Sequence, residues 1–294
     1  GLDANTTGDS NTAVGGNSLT ENTTGSNNTG IGYQALAANT TGGNNTAVGQ
    51  NSLDANSTGS NNTAVGLNAL GGNTTADGNT AVGKDALEAN TTGVNNVAVG
   101  YVALTANTTA SNNTAVGYNA LGANTTGTGN VAVGMNALDA CTTSVSNTCI
   151  GNNAGGSITT GNGENVCVGN NAAANMTTGQ QNIFIGDNCA AGAAVTGSLN
   201  TIIGDNAGYD LTTGSSNVSL GAASLANTST GSNNVAIGYE ALNTQSGNSN
   251  NVAVGGEALK QCIGGSNVAV GYRAGDSVTT GHEQTLIGYY AGAS

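Results

Sequence analysis

The sequence predicts an all-β fold, a parallel β-solenoid of 17 coils with a 17-residue repeat, and three observations carry that prediction. A glycine closes a short apolar segment once per repeat, from Gly15 and Gly32 through to Gly271 and Gly288. The spacing is 17 residues almost throughout, with 18 from Gly151 to Gly169 and from Gly186 to Gly204, and 16 from Gly255 to Gly271. A fixed period of this length is the signature of a repeat architecture that grows by adding turns. The apolar residues inside each unit recur at spacing two rather than 3.6, which is the period of a strand. Between them lie Asn, Thr, Ser and Gly, with 49 glycines and no proline in the chain, which leaves no room for a long helix.

The elements of one coil follow in order from the consensus N-N-T-A-V-G-Y-N-A-L-x-A-N-T-T-G-x. The strand is the T-A-V or V-A-V segment before the glycine. Its outer positions, such as Thr46 and Val48 or Val97 and Val99, share one face, and the residue between them takes the other. The last strand residue is always Val, Ile or Leu, so this face is assigned inward. That gives an expected core column of Val48, Val65, Val82, Val99, Val116, Val133, Ile150, Val168, Ile185 and Ile203. The middle residue is usually Ala, as at Ala47 and Ala64, and becomes Phe184, Ile202 and Leu286 later. Facing outward, a small apolar column would suit a close subunit contact; a narrow coil with a cramped corner is the alternative. After the glycine, pairs such as Ala35-Leu36 and Ala69-Leu70 can fill the interior. N-T-T-G then turns the chain, since Asn and Gly tolerate left-handed backbone angles and stacked Asn side chains can bond neighbouring coils.

Composition narrows the function. Only 6% of the 294 residues are charged, against roughly 25% in ordinary domains, and the formal net charge is -13. Three basic residues, Lys84, Lys260 and Arg273, cannot neutralise a phosphate backbone, so nucleic acid is excluded as a partner. No apolar stretch approaches the ~20 residues of a membrane helix. The strict phase of Val and Ile argues against disorder. The chain starts in mid-repeat and shows no leader at Gly1, which reads as a segment of a longer fibre. Residues 1–294 are taken as one solenoid domain whose middle, 141–215, is irregular: Leu gives way to Gly155, Ala173, Ala190 and Gly208, and four of the five cysteines lie there.

Few residues suggest chemistry. One histidine, His282, without clustered carboxylates or thiols gives no usual metal site and no nucleophile–base pair. No catalytic residue, metal or cofactor is expected. Cys149 and Cys167 occupy the same position in adjacent coils, within reach of a disulfide, with a reduced pair as the alternative. Tyr33, Tyr101, Tyr118, Tyr239, Tyr272 and Tyr289 follow the repeat glycine directly. Other coils place Lys84, Met135 or Asp187 there, so the column should face solvent, either to stack on sugars or to cover a coil edge or subunit seam. Asn-Thr-Thr at Asn5, Asn22, Asn39, Asn73, Asn90, Asn107 and Asn124 matches the N-glycosylation acceptor pattern, although the turn explains the same residues.

The segments NNVAVGYVAL, NNVAIGYEAL and SNVAVGYRAG resemble the head repeats of trimeric autotransporter adhesins, the YadA-like heads, and related Gly/Asn/Thr-rich repeats of phage and viral tail fibres. The resemblance covers the whole chain. It implies a left-handed β-roll assembled as a homotrimer at a cell or virion surface, with an exposed face used for attachment to a surface or glycan receptor. The 17-residue unit and the N-T-T-G turn depart from the shorter repeat of those heads, which leaves a monomeric β-helix or an end-to-end filament as alternatives. The expected function is therefore a structural extracellular fibre or adhesin segment that self-associates. The alternatives are a filament subunit or a solenoid that binds carbohydrate or ice. An ice-binding face would need flat Thr-x-Thr pairs in successive coils.

Overall fold

A computed structural model describes residues 1–161, 163–244 and 247–292. The described residues contain seventeen three-residue strands, from β1 (Thr12–Val14) to β17 (Thr285–Ile287), and no helix. The chain forms two compact units, Gly1–Val145 and Ser146–Ser294. The first contains β1 to β8 (Val131–Val133) and the second β9 (Thr148–Ile150) to β17.

Within each unit every strand pairs in parallel with the next, residue for residue. Thr46 stands opposite Thr63 and Val48 opposite Val65 in the first unit; Val235 stands opposite Val252 in the second. Both units are therefore parallel β-solenoids built from the coil read in the sequence. The 18- and 16-residue spacings leave the strand register untouched: Thr148 pairs with Val166, Ile183 with Thr201 and Val252 with Val268. The extra or missing residue is absorbed outside the strands.

The repeat glycine is required by geometry. Gly66 has φ +139°, and a Cβ there would lie 2.5 Å from the carbonyl oxygen of Gly83 in the next coil. Four residues later the backbone is left-handed again, but at leucine: Leu70 has φ 53°. Such a conformation costs a non-glycine residue about 1 kcal/mol or more. It is offset by a backbone bond from Leu70 N–H to the Ala86 oxygen (3.0 Å) and by complete burial of the side chain.

The strand phase is the reverse of the sequence expectation. The middle residues Ala47, Ala64, Ala81, Ala98, Ala115 and Ala132 are fully buried and face the interior. The expected core column faces outward. Val82 and Ile150 are exposed, and Val48, Val65, Val99, Val116, Val133, Val168, Ile185 and Ile203 are half-buried, shielded by their neighbours above and below. The physical reason is width. The interior is already filled by Leu from the opposite wall and by Asn at the corners, so only a small residue fits under the strand. β-Branched residues favour the outer positions because they suit a pleated surface, buried or not.

Two asparagine columns line the corners of the first unit. Asn28, Asn45, Asn62, Asn79, Asn96, Asn113 and Asn130 precede the strands and are fully buried. Each Oδ1 accepts the backbone N–H of the next Asn in the column, as in Asn45 to Asn62 at 2.9 Å, and each Nδ2 donates to a carbonyl 14 residues on. The Asn of each N-T-T triplet forms the second column. Asn73 Nδ2 donates to Asn56 Oδ1 (2.8 Å) and to the Ala76 oxygen (3.1 Å). These bonds satisfy corner groups that burial would otherwise leave unpaired.

Candidate functional site

The most distinctive surface is the outward strand face. Thr12, Thr29, Thr46, Thr63 and Thr80 stack in one column of the first unit, with Val14, Ile31, Val48, Val65 and Val82 beside them. The second unit carries the same face in more apolar form, including Ile183, Val218, Leu220 and Val270, all exposed. Neither column contains a charged residue in any strand. In-register pairing at the strand spacing of about 4.8 Å makes the array regular. A column of outward Val and Ile of this kind is a candidate contact surface.

The tyrosine column is exposed, as the sequence predicts. Tyr101 and Tyr118 lie with ring centroids 5.7 Å apart, and Lys84 sits over the Tyr101 ring at 5.2 Å. In the second unit Tyr272 stacks on Tyr289 at 5.7 Å, and Tyr290 packs edge-on against both. The charged residues gather here. Arg273 donates to Glu257 from Nε (3.0 Å) and Nη2 (2.8 Å), and Lys260 pairs with Glu240 at 2.5 Å. The Arg273 hydrogen bond holds the Glu257 carboxyl below its usual range. Tyr272 and Tyr239 donate their hydroxyls to Glu257 and Glu240. Every group in this network has a partner, so it ties coils together. Tyr33 in the first unit and Tyr239 in the second are exposed as well.

The remaining predicted residues sit as follows. Cys149 and Cys167 are register partners, both inside the coil and both thiols. Burial pushes the Cys141 thiol up to about 11, and burial together with nearby Cys167 pushes Cys189 up further. Thiols held protonated in this way react slowly. His282 is exposed, and its Nδ1 accepts the Gly265 N–H at 3.0 Å, where other coils use a serine hydroxyl. Of the N-T-T asparagines, Asn5 is exposed and Asn22 to Asn124 are fully buried. A shallow polar groove lies where Gly71 and Gly72 lack side chains, lined by Asn51, Asp54, Asn68 and Glu88. Burial raises the Asp54 carboxyl there. Among the described residues no group of three or more His, Cys, Asp or Glu is placed to hold a metal ion.

No protein-family model matches the chain, and no curated protein resembles it in sequence. The outward double column escaped the sequence reading, although a signal for it was present. Wherever the middle strand residue grows, the leucine position shrinks: Ile202 goes with Gly208, and Leu286 with Gly292. Two columns that exchange volume must share one interior. A Cβ at Gly208 would lie 2.8 Å from Ile202 Cδ1.

Proposed function

We propose that this chain is a structural segment of an extracellular fibre or adhesin, at a cell or virion surface, that associates with further copies of itself through the outward strand face. The observation that carries the reading is the uncharged double column of Thr, Val and Ile on the outward strand face, half-buried to exposed. A second copy fits it best, because a face without charge is complementary to itself and imposes no desolvation cost on ion pairs. The coil also suits a spacer: each added coil repeats the same contacts, so length is gained without a new core. A homotrimer is the assembly that the resemblance to adhesin heads favours.

The test is the mass of the full chain in solution, by light scattering or native mass spectrometry. The expected result is an oligomer that Val65→Glu and Val116→Glu together dissociate without loss of β-sheet circular dichroism. A monomer at micromolar concentration would sink the reading. One observation favours a second reading. The five successive threonines from Thr12 to Thr80 give one regular column of hydroxyls, although Val or Ile stands where a Thr-x-Thr face would place the second threonine. A monomer that shows thermal hysteresis would select that reading instead.

A further inference from the structure

The fold buries most of its own N-glycosylation acceptors. Asn22, Asn39, Asn56, Asn73, Asn90, Asn107 and Asn124 each begin an Asn-X-Thr triplet, and each is fully buried. Each uses its Nδ2 twice. Asn39, for example, donates to Asn22 Oδ1 at 2.8 Å and to the Gly42 oxygen at 3.0 Å. Glycan transfer from a lipid-linked pyrophosphate donor forms a bond from the sugar C1 to Nδ2. It breaks the bond from C1 to the pyrophosphate oxygen, and it releases the lipid pyrophosphate and one Nδ2 proton. The modified amide keeps one N–H where the ladder needs two, and a sugar must then occupy a closed interior. An asparagine glycosylated before folding therefore cannot enter the column, because it leaves a buried acceptor unpaired and adds volume that the coil cannot absorb.

The threonines do not strictly follow the asparagine. Where the column asparagine is replaced by Cys141, Ile158, Met176 or Leu211, the exposed threonine two residues later remains, as Thr143, Thr160, Thr178 and Thr213, whereas Gly197 and Gly264 follow Val195 and Cys262. A different set of triplets faces solvent: Asn27, Asn44, Asn61 and Asn112, in N-N-T, are exposed and left-handed with φ between 59° and 61°.

We infer that transfer of lipid-linked oligosaccharide to the column asparagines before folding blocks this fold, and that N-linked sugar on the folded protein is borne only by exposed acceptors such as the N-N-T ladder. The test is secretion of the full chain from insect cells behind a standard leader, with and without an inhibitor of lipid-linked oligosaccharide synthesis. Without inhibitor the chain is expected to be retained, and with inhibitor its secretion should rise severalfold. A variant with Thr→Ala at the third position of the seven buried Asn-X-Thr triplets, Thr24 to Thr126, together with Ser219→Ala in the buried Asn217-Val218-Ser219 triplet, should be secreted without inhibitor and carry glycan at Asn27, Asn44, Asn61 or Asn112. These threonines are exposed, so the ladder itself is untouched. Three results would overturn the inference: glycan on a buried asparagine of secreted, protease-resistant protein; equal secretion in both conditions; or retention that the inhibitor does not relieve. The inhibitor arm keeps the test decisive should the variant fail to fold.

Discussion

In the first unit the corner column runs from Asn22 to Asn124 as an unbroken amide ladder; in the second, Ile158, Met176, Val195 and Leu211 stand at the same coil position, all buried. The strand and leucine columns change with it. Ala47 to Ala132 face Leu19 to Leu138 in the first unit, whereas the early coils of the second set Cys167, Phe184 and Ile202 against Ala173, Ala190 and Gly208 before Ala236 and Ala253 meet Leu242 and Leu259 again. The backbone coil and the strand register are the same in both. The difference teaches that this coil fixes the total interior volume and the pairing of its polar groups, but not which wall supplies the bulk. In the second unit the other asparagine column compensates, with side-chain bonds such as Asn165 Nδ2 to Asn147 Oδ1 (3.0 Å) and Asn217 Nδ2 to Asn200 Oδ1 (3.0 Å) added to its backbone bonds.

The largest expected effect comes from forcing the first unit's arrangement onto one coil of the second. Ile202→Ala should cost roughly 2–4 kcal/mol as a cavity. Gly208→Leu should cost about 1–3 kcal/mol, because its side chain would enter the space of Ile202. The backbone permits leucine there, since Leu225 in the same column has φ 54° against 59° at Gly208. The double variant should recover to within about 1 kcal/mol of the native chain in urea unfolding, with the coupling of a shared cavity. Simple addition of the two losses would show that the columns do not exchange volume.

Breaking the polar ladder should cost less, and it distinguishes the two units. Asn73→Leu leaves Asn56 Oδ1, the Ala76 oxygen and Asn90 Nδ2 each without one bond. Unmet buried groups cost about 1–3 kcal/mol each before relaxation, so a loss of about 2–3 kcal/mol is expected. Met176→Leu, at the equivalent corner of the second unit, conserves volume and should cost less than about 1.5 kcal/mol. Comparable losses at the two sites, by thermal unfolding monitored at the strand circular dichroism band, would mean that the ladder is not what distinguishes the units.

The left-handed backbone expected at N-T-T-G lies instead at residues such as Asn44, Asn68 and Leu70. The period, the strands and the glycine corner were legible in the sequence because each depends on local backbone demands that one repeat states and the others restate. Which strand face is inside was not, because both choices satisfy the alternation of period two. The rule that Val and Ile go inward fails for a coil whose lumen is taken by Leu36 or Leu70 and by paired amides. Parity could have been read from the asparagine before each strand: with Asn45 inward, Thr46 faces out, Ala47 in and Val48 out. The same reversal turned an expected core into the outward face proposed for contact. The tyrosine column was legible because a position that also takes Lys84 and Asp187 cannot be interior. Burial of the N-T-T asparagines was not, since a surface turn and a buried corner use the same residues.

The smallest expected effect lies where the amide ladder ends. Asn124 donates normally, to Asn107 Oδ1 (2.9 Å) and to the Gly127 oxygen (3.0 Å), but its own Oδ1 is buried without a partner. The next residue in the column is Cys141, whose thiol bonds the Ser144 oxygen at 3.6 Å, reproducing only one of the two bonds an asparagine would make. Cys141→Asn should pair that orphan and strengthen the second bond, a gain of about 1 kcal/mol. Cys141→Ala should gain nothing. The pH profile gives an independent readout. The folded thiol is held protonated to about 11 while the unfolded one ionises near its ordinary value of 9.0. Its contribution is intact below that ordinary value and is lost as pH rises toward the folded one. The asparagine variant should therefore lose less stability than the native chain between those two limits. If the variant instead loses stability at neutral pH, volume rather than hydrogen bonding decides where the ladder stops.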